Sequence, residues 1–159
     1  MSVPVTVTRA TVDGELASAV VWANRQGWAI HWDANALQLR ATTNHPIADR
    51  LIEVTAALEG YRALPPAWRF VAPGSDESPK SEWPAPGSQP GLPGSIFHPH
   101  PCICAPWNRL AYSEHSGPHG DWAMTSWWKI PGGLTKANHL ADMLDQIHQH
   151  LRASPGFQT

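Results

Sequence analysis

The chain has 159 residues, 42% hydrophobic and 15% charged, with a formal net charge of −2 and a pI of about 6.5. That length reads as one domain, 1–159, with enough chain to bury a core. The eleven Lys and Arg are scattered, which argues against nucleic acid as the main partner. No apolar run approaches a membrane span, and Met1-Ser2-Val3-Pro4-Val5 lacks the pattern of a signal peptide, so a cytoplasmic protein is expected.

The first element reads as a helix. Asp13 is placed to cap it, Leu16, Ala19, Val20 and Ala23 recur at helical spacing, and Gly27 stops it. The period then changes to two. Trp28, Ile30 and Trp32 alternate with Ala29 and His31, Asp33 to Ala36 reads as a turn, and Leu37, Leu39 and Ala41 form a second strand. The segment from Ile47 to Leu58 fits either period. Its β-branched residues, and its place after two strands, favour a third strand over Ile52–Leu58. The double proline Pro65-Pro66 forces an extended passage, after which Trp68, Phe70 and Val71 supply a fourth strand.

From Pro73 to Pro101 eight prolines fall in 29 residues, which marks a long loop. Its tip, Ser75 to Pro93, is expected to be mobile, within a flexible stretch of about 73–95. Order returns with a helix capped by Thr135, in which Leu140, Met143, Leu144, Ile147 and Leu151 make one apolar stripe before Pro155-Gly156 ends it. The fold class is therefore α+β: an N-terminal helix, a four-stranded antiparallel meander, a Pro-rich loop carrying a Cys/His segment, and a C-terminal helix. The nine tryptophans are mostly core or wall residues on this reading, although Trp122, Trp127 and Trp128 offer a groove lining as the alternative.

The chemistry concentrates in Ile96-Phe97-His98-Pro99-His100-Pro101-Cys102-Ile103-Cys104-Ala105-Pro106-Trp107, which holds both cysteines and two of the nine histidines. Thiols and imidazoles serve nucleophilic catalysis and zinc. A Cys102–Cys104 disulfide is disfavoured, because i,i+2 side chains on an extended chain lie about 6–7 Å apart.

Zinc is the competing use of these residues. His98, His100, Cys102 and Cys104 share one parity, but four alternating residues of an extended chain span about 20 Å, whereas zinc ligands lie about 2.0–2.3 Å from one ion. A zinc site needs the chain to fold back, with His98, Cys102, His115 and His119 as its candidates. A further alternative is a hydrolase with Cys104, His119 and Asp121 as nucleophile, base and orienter.

The order of these parts resembles the ubiquitin-conjugating enzyme family in a divergent bacterial form, over roughly residues 14 to 155. Tyr61, Pro65, Pro66 and Phe70 are similar to the family's passage between its third and fourth strands. Phe97-His98-Pro99-His100 resembles the His-Pro-Asn segment, and Ile103-Cys104-Ala105 the segment bearing the nucleophile. Trp122 and a helix from Thr135 to Arg152 take the places of the tryptophan and helix that follow. Two departures stand out: His100 occupies the Asn position, and Cys104 lies only six residues after His98.

The resemblance implies a transferase. Cys104 would carry a ubiquitin-like modifier as a thioester, received from an activating-like enzyme, and pass it to an amine on a protein acceptor. It implies no cofactor, and positioning or proton-handling roles for His98, His100, His119 and Asp121. It further implies a place in an antiviral defence system. The alternative it leaves open is a zinc-binding or catalytically inactive protein-binding module of the same fold. The transferase reading requires a sulfur at position 104 that solvent reaches and that ionises readily.

Overall fold

The computed structural model describes residues 2–92, 94–113, 122–129 and 136–159. Helix α1, Val5–Gln26, leads into strands β1 (Ala29–Asp33), β2 (Gln38–Asn44), β3 (Leu51–Ala57) and β4 (Ala67–Val71). A four-residue helix α2, Leu110–Ser113, and the C-terminal helix α3, Leu140–Ala153, follow. The strands form one antiparallel sheet in the order β1-β2-β3-β4, each paired with its sequence neighbour. The α+β layout read from periodicity is the one the chain adopts.

Two helix starts differ from expectation. Helix α1 begins eight residues before Asp13, with Pro4 at its N-cap position and the Pro4 carbonyl accepting the Val7 and Thr8 amides at 3.0 and 3.1 Å. The β-branched run Val5-Thr6-Val7-Thr8 disguises this first turn, because such residues are weak helix formers. Burial of Thr8 and Val12 holds it in place. The buried positions are Thr8, Val12, Ala19 and Ala23, so Val20 belongs to the exposed side rather than to the apolar stripe. At the other end, α3 begins at Leu140, and the His139 amide donates to the Asp142 carboxylate at 3.2 Å. His139 therefore takes the cap assigned to Thr135, a residue outside the described ones. The stripe Leu140, Met143, Leu144, Ile147 and Leu151 is wholly buried, as its spacing predicts.

The register explains which sheet face is covered. Leu39 pairs Ala56, which pairs Trp68; Ala41 pairs Val54, which pairs Phe70. All six are buried and face the helices. On the other face Arg40, Glu53 and Thr55 gather. Arg40 bridges Glu53 at 2.8 Å and also bonds Asp76 and the Ser75 carbonyl, so the start of the Pro-rich stretch folds across this polar face. The turn between β1 and β2 is an Asx turn: the Asp33 carboxylate accepts the Asn35 and Ala36 amides at 3.0 Å each, and those bonds hold its pKa below the ordinary carboxylate range.

Helices and sheet are stitched by indole and carboxylate bonds. Trp22 Nε1 donates to Asp145 at 3.0 Å, and Trp28 Nε1 to His148 Nδ1 at 3.0 Å. Glu15 accepts the Tyr61 hydroxyl at 2.8 Å and the Leu140 amide at 2.8 Å, which joins α1, the β3–β4 connection and α3 at one carboxylate. The Pro-rich stretch extends the core past β4. Trp83 and Phe97 each pack edge-on to Phe70 with centroids 5.3 Å apart, and the Ser78 hydroxyl bonds both the Phe70 carbonyl and Trp83 Nε1. These contacts lie in and beside the span read as a flexible tip.

Candidate functional site

Phe97 and Ile103 form an isolated antiparallel bridge. The His98 amide donates to the Cys102 carbonyl at 3.1 Å, and the Cys104 amide to the Ile96 carbonyl at 2.7 Å. Residues Ile96 to Cys104 are thus a small hairpin with Pro99-His100-Pro101 at its tip. The prolines Pro99 and Pro101 lie at the reversal itself. Proline donates no amide and suits such a turn. The fold-back sets His98 opposite Cys102 and Ile96 opposite Cys104.

Exposure along the hairpin is uneven. His100 at the tip is exposed and His98 half-buried. Cys102 keeps 1% of its surface and Cys104 7%. Burial pushes the Cys104 thiol above its ordinary value. The accessible, readily ionised sulfur that thioester chemistry calls for is therefore not the state of this structure. His115, His119 and Asp121 lie outside the described residues, so the proton-handling and hydrolase assignments made for them do too. Among the described residues, no three His, Cys, Asp or Glu side chains come together to hold a metal.

Two amides that the sequence reading passed over fix the hairpin in place. Asn108 is fully buried. Its Oδ1 accepts the Trp68 amide at 2.8 Å, and its Nδ2 donates to the Trp68 carbonyl at 3.2 Å and to the Ile103 carbonyl at 2.8 Å. The side chain takes the place of a fifth strand on the free edge of β4, satisfying backbone groups that an edge leaves open. Next to it the Arg109 amide donates to the Pro66 carbonyl at 2.9 Å, and the Arg109 guanidinium to the Ala57 carbonyl at 3.1 Å. Trp107 packs edge-on to Trp68 with centroids 6.3 Å apart. On the other side Gln158 Nε2 donates to the His98 carbonyl at 2.8 Å and to the Pro84 carbonyl at 3.2 Å. Asn108 had a sequence signal, a lone amide just after an apolar run. Gln158 had none, since its partners lie 60 and 74 residues away.

The hairpin rests on α3. His150 is 3% exposed, its ring packs edge-on to Phe97 with centroids 6.0 Å apart, and burial alone lowers its basicity. Neither ring nitrogen has a hydrogen-bond partner among the described residues. Tyr61, one of the residues behind the family resemblance, is fully buried, and burial together with the Glu15 carboxylate raises its hydroxyl far above the ordinary range. Its visible work is structural. Trp127 is buried, donating Nε1 to the Arg62 carbonyl at 3.1 Å, while Trp128 helps line an apolar cavity of about 410 Å³ with Leu64, Ala63 and Arg109.

Comparison with models of known protein families, with curated proteins and with solved structures finds no match.

Proposed function

We infer that this chain is a ubiquitin-conjugating-like transferase with Cys104 as the residue that carries the modifier. One observation supports the reading above the others. The hairpin Ile96–Cys104 brings a His-Pro-His turn and a cysteine to the free edge of a helix–meander–helix frame, in the chain order of the family the sequence resembles. On this reading the Cys104 thiolate attacks the thioester carbonyl of a modifier held by an activating-like enzyme. A new C–S bond forms, and the donor's C–S bond breaks with its sulfur leaving. An amine of a protein acceptor then attacks the Cys104 thioester, gives up a proton, and Cys104 leaves as the thiolate. His98 and His100 serve as positioning groups, with His119 and Asp121 as proton acceptors. No metal or cofactor enters either step. A role in antiviral defence belongs to the same reading and rests on the resemblance alone; a cytoplasmic setting remains the expectation stated from the sequence.

The covered sulfur favours a second reading, a module of the same shape that binds protein partners without loading. In the transferase reading, docking of the donor uncovers Cys104. Incubation with the cognate activating-like enzyme, ATP and modifier separates the two. The transferase gives an adduct that reductant cleaves and that Cys104→Ser converts into a reductant-stable ester. With cognate partners and no adduct, the binding module stands and the transferase falls. Stoichiometric zinc in the purified protein, lost on His98→Ala, would instead make the hairpin a metal brace.

A further inference from the structure

We propose that the C-terminal strap Pro155–Thr159 is a positioning element of the Cys104 site, and that Gln158 controls how far the hairpin opens to solvent. The proposal rests on Cys104 being the acyl carrier, and it explains how a covered sulfur could be uncovered. Three observations lead to it. First, Gln158 is 8% exposed, and both N–H groups of its amide are committed, to the His98 and Pro84 carbonyls. Second, His98 is the residue at which the hairpin closes: its amide donates to Cys102 within the hairpin, and its carbonyl accepts from Gln158 outside it. The peptide groups around His98 are thus tied on both sides, and the Gln158 side chain supplies an outer tie. Third, the strap is laid down independently of the hairpin. Phe157 bridges Pro84, the Gln158 amide donates to Trp83 O at 2.8 Å, and the Arg50 guanidinium lies 3.4 Å from the Phe157 ring centroid.

Among the described residues, Phe97–Ile103 is the one β-bridge inside the hairpin. Withdrawal of the Gln158 donors leaves the part-buried His98 carbonyl without that partner, a state relieved when the hairpin swings out and water reaches it more fully. The same movement carries Cys104 toward solvent, which removes the burial that suppresses its ionisation. Gln158 touches neither the sulfur nor any reacting atom. It acts through the backbone of His98, so replacing the imidazole, as in His98→Ala, leaves this link intact.

Iodoacetamide labelling of the full chain, with Cys102 and Cys104 read separately by peptide mass spectrometry, tests the proposal across a pH series. Gln158→Met and Gln158→Glu both keep the length of the side chain and remove both amide donors. Either is expected to label at Cys104 about tenfold faster than the wild type, with the onset of labelling moved to lower pH. Deletion of Thr159 alone leaves the rate unchanged within about twofold, a match to the wild type in which Gln158 is intact. Val12→Ala, a core change on α1, lowers the melting temperature and leaves Cys104 labelling at the wild-type rate. Wild-type labelling in both Gln158 variants overturns the proposal. So does acceleration by Val12→Ala equal to that of a Gln158 variant of the same melting temperature, because labelling then follows global unfolding. The assay uses no activating enzyme or modifier, so its outcome is independent of whether the thioester forms.

Discussion

The meander and the cysteine hairpin are both antiparallel structures, but they are held in different ways. In the meander, five to seven consecutive residues pair across each strand boundary, and register is repeated many times over. In the hairpin a single bridge joins Phe97 to Ile103, and side-chain amides from Asn108 and Gln158 complete the backbone pairing. The lesson is about sensitivity. A long ladder spreads its stability over many bonds, so no single side chain decides its pairing. A one-bridge hairpin draws more on single side chains such as Asn108 and Gln158, which makes its position adjustable by small changes elsewhere in the chain.

The comparison can be broken at four points, from the largest effect to the smallest. Trp68→Ala removes the buried β4 indole against which Trp107 packs. A loss of about 3–5 kcal/mol by chemical denaturation is expected, felt by the sheet and the hairpin together. Asn108→Ala empties the edge of β4 and leaves buried Trp68 and Ile103 backbone groups without their partners. A loss of about 2–3 kcal/mol is expected, with amide exchange rising at Trp68, whose N–H donates to Asn108, and at Cys104 in the hairpin, while the β2–β3 ladder stays protected. Uniform loss of protection across all strands would show that the hairpin and meander are not separable.

The third point is acid. His45, His148 and His150 each have a basicity lowered by burial, with Arg50 and Arg152 adding to the effect on His45 and His148. A histidine less basic in the folded chain takes up its proton first when unfolded. Its contribution is whole above the ordinary value of about 6.5, falls as the pH drops below it, and levels off once the folded-state value is passed. Stability is expected to decline below pH ~6.5 and His150→Leu to flatten that decline, measured by denaturation at stepped pH. An undiminished slope in that variant would assign the acid response to the other two histidines. The smallest effect is at the surface. Glu82→Gln removes the 3.2 Å pair with Arg50, and a change below about 1 kcal/mol is expected, shrinking further with added salt.

Much of the frame was legible because its periods are clean. Ile52, Val54 and Ala56 alternate in β3, and Leu140, Met143, Leu144, Ile147 and Leu151 recur at helical spacing in α3; both patterns bury as read. The first turn of α1 was not legible, because its β-branched residues speak for strand and only packing speaks for helix. Of the candidate site, sequence found the Cys/His segment and its cysteines but neither its reversal nor the burial of Cys104. Nor did it find Gln158, since a polar residue near a chain end looks solvated until the fold brings the His98 carbonyl to it.

Local patterning by itself determined the element order, the antiparallel meander and the apolar face of α3, because these follow from side-chain periods of two and of about 3.6 residues. Tertiary structure alone decided that Pro99-His100-Pro101 is a reversal, that Asn108 closes the edge of β4, and that Cys104 lies covered. Each of these depends on backbone groups distant in sequence, which must find partners once water is excluded.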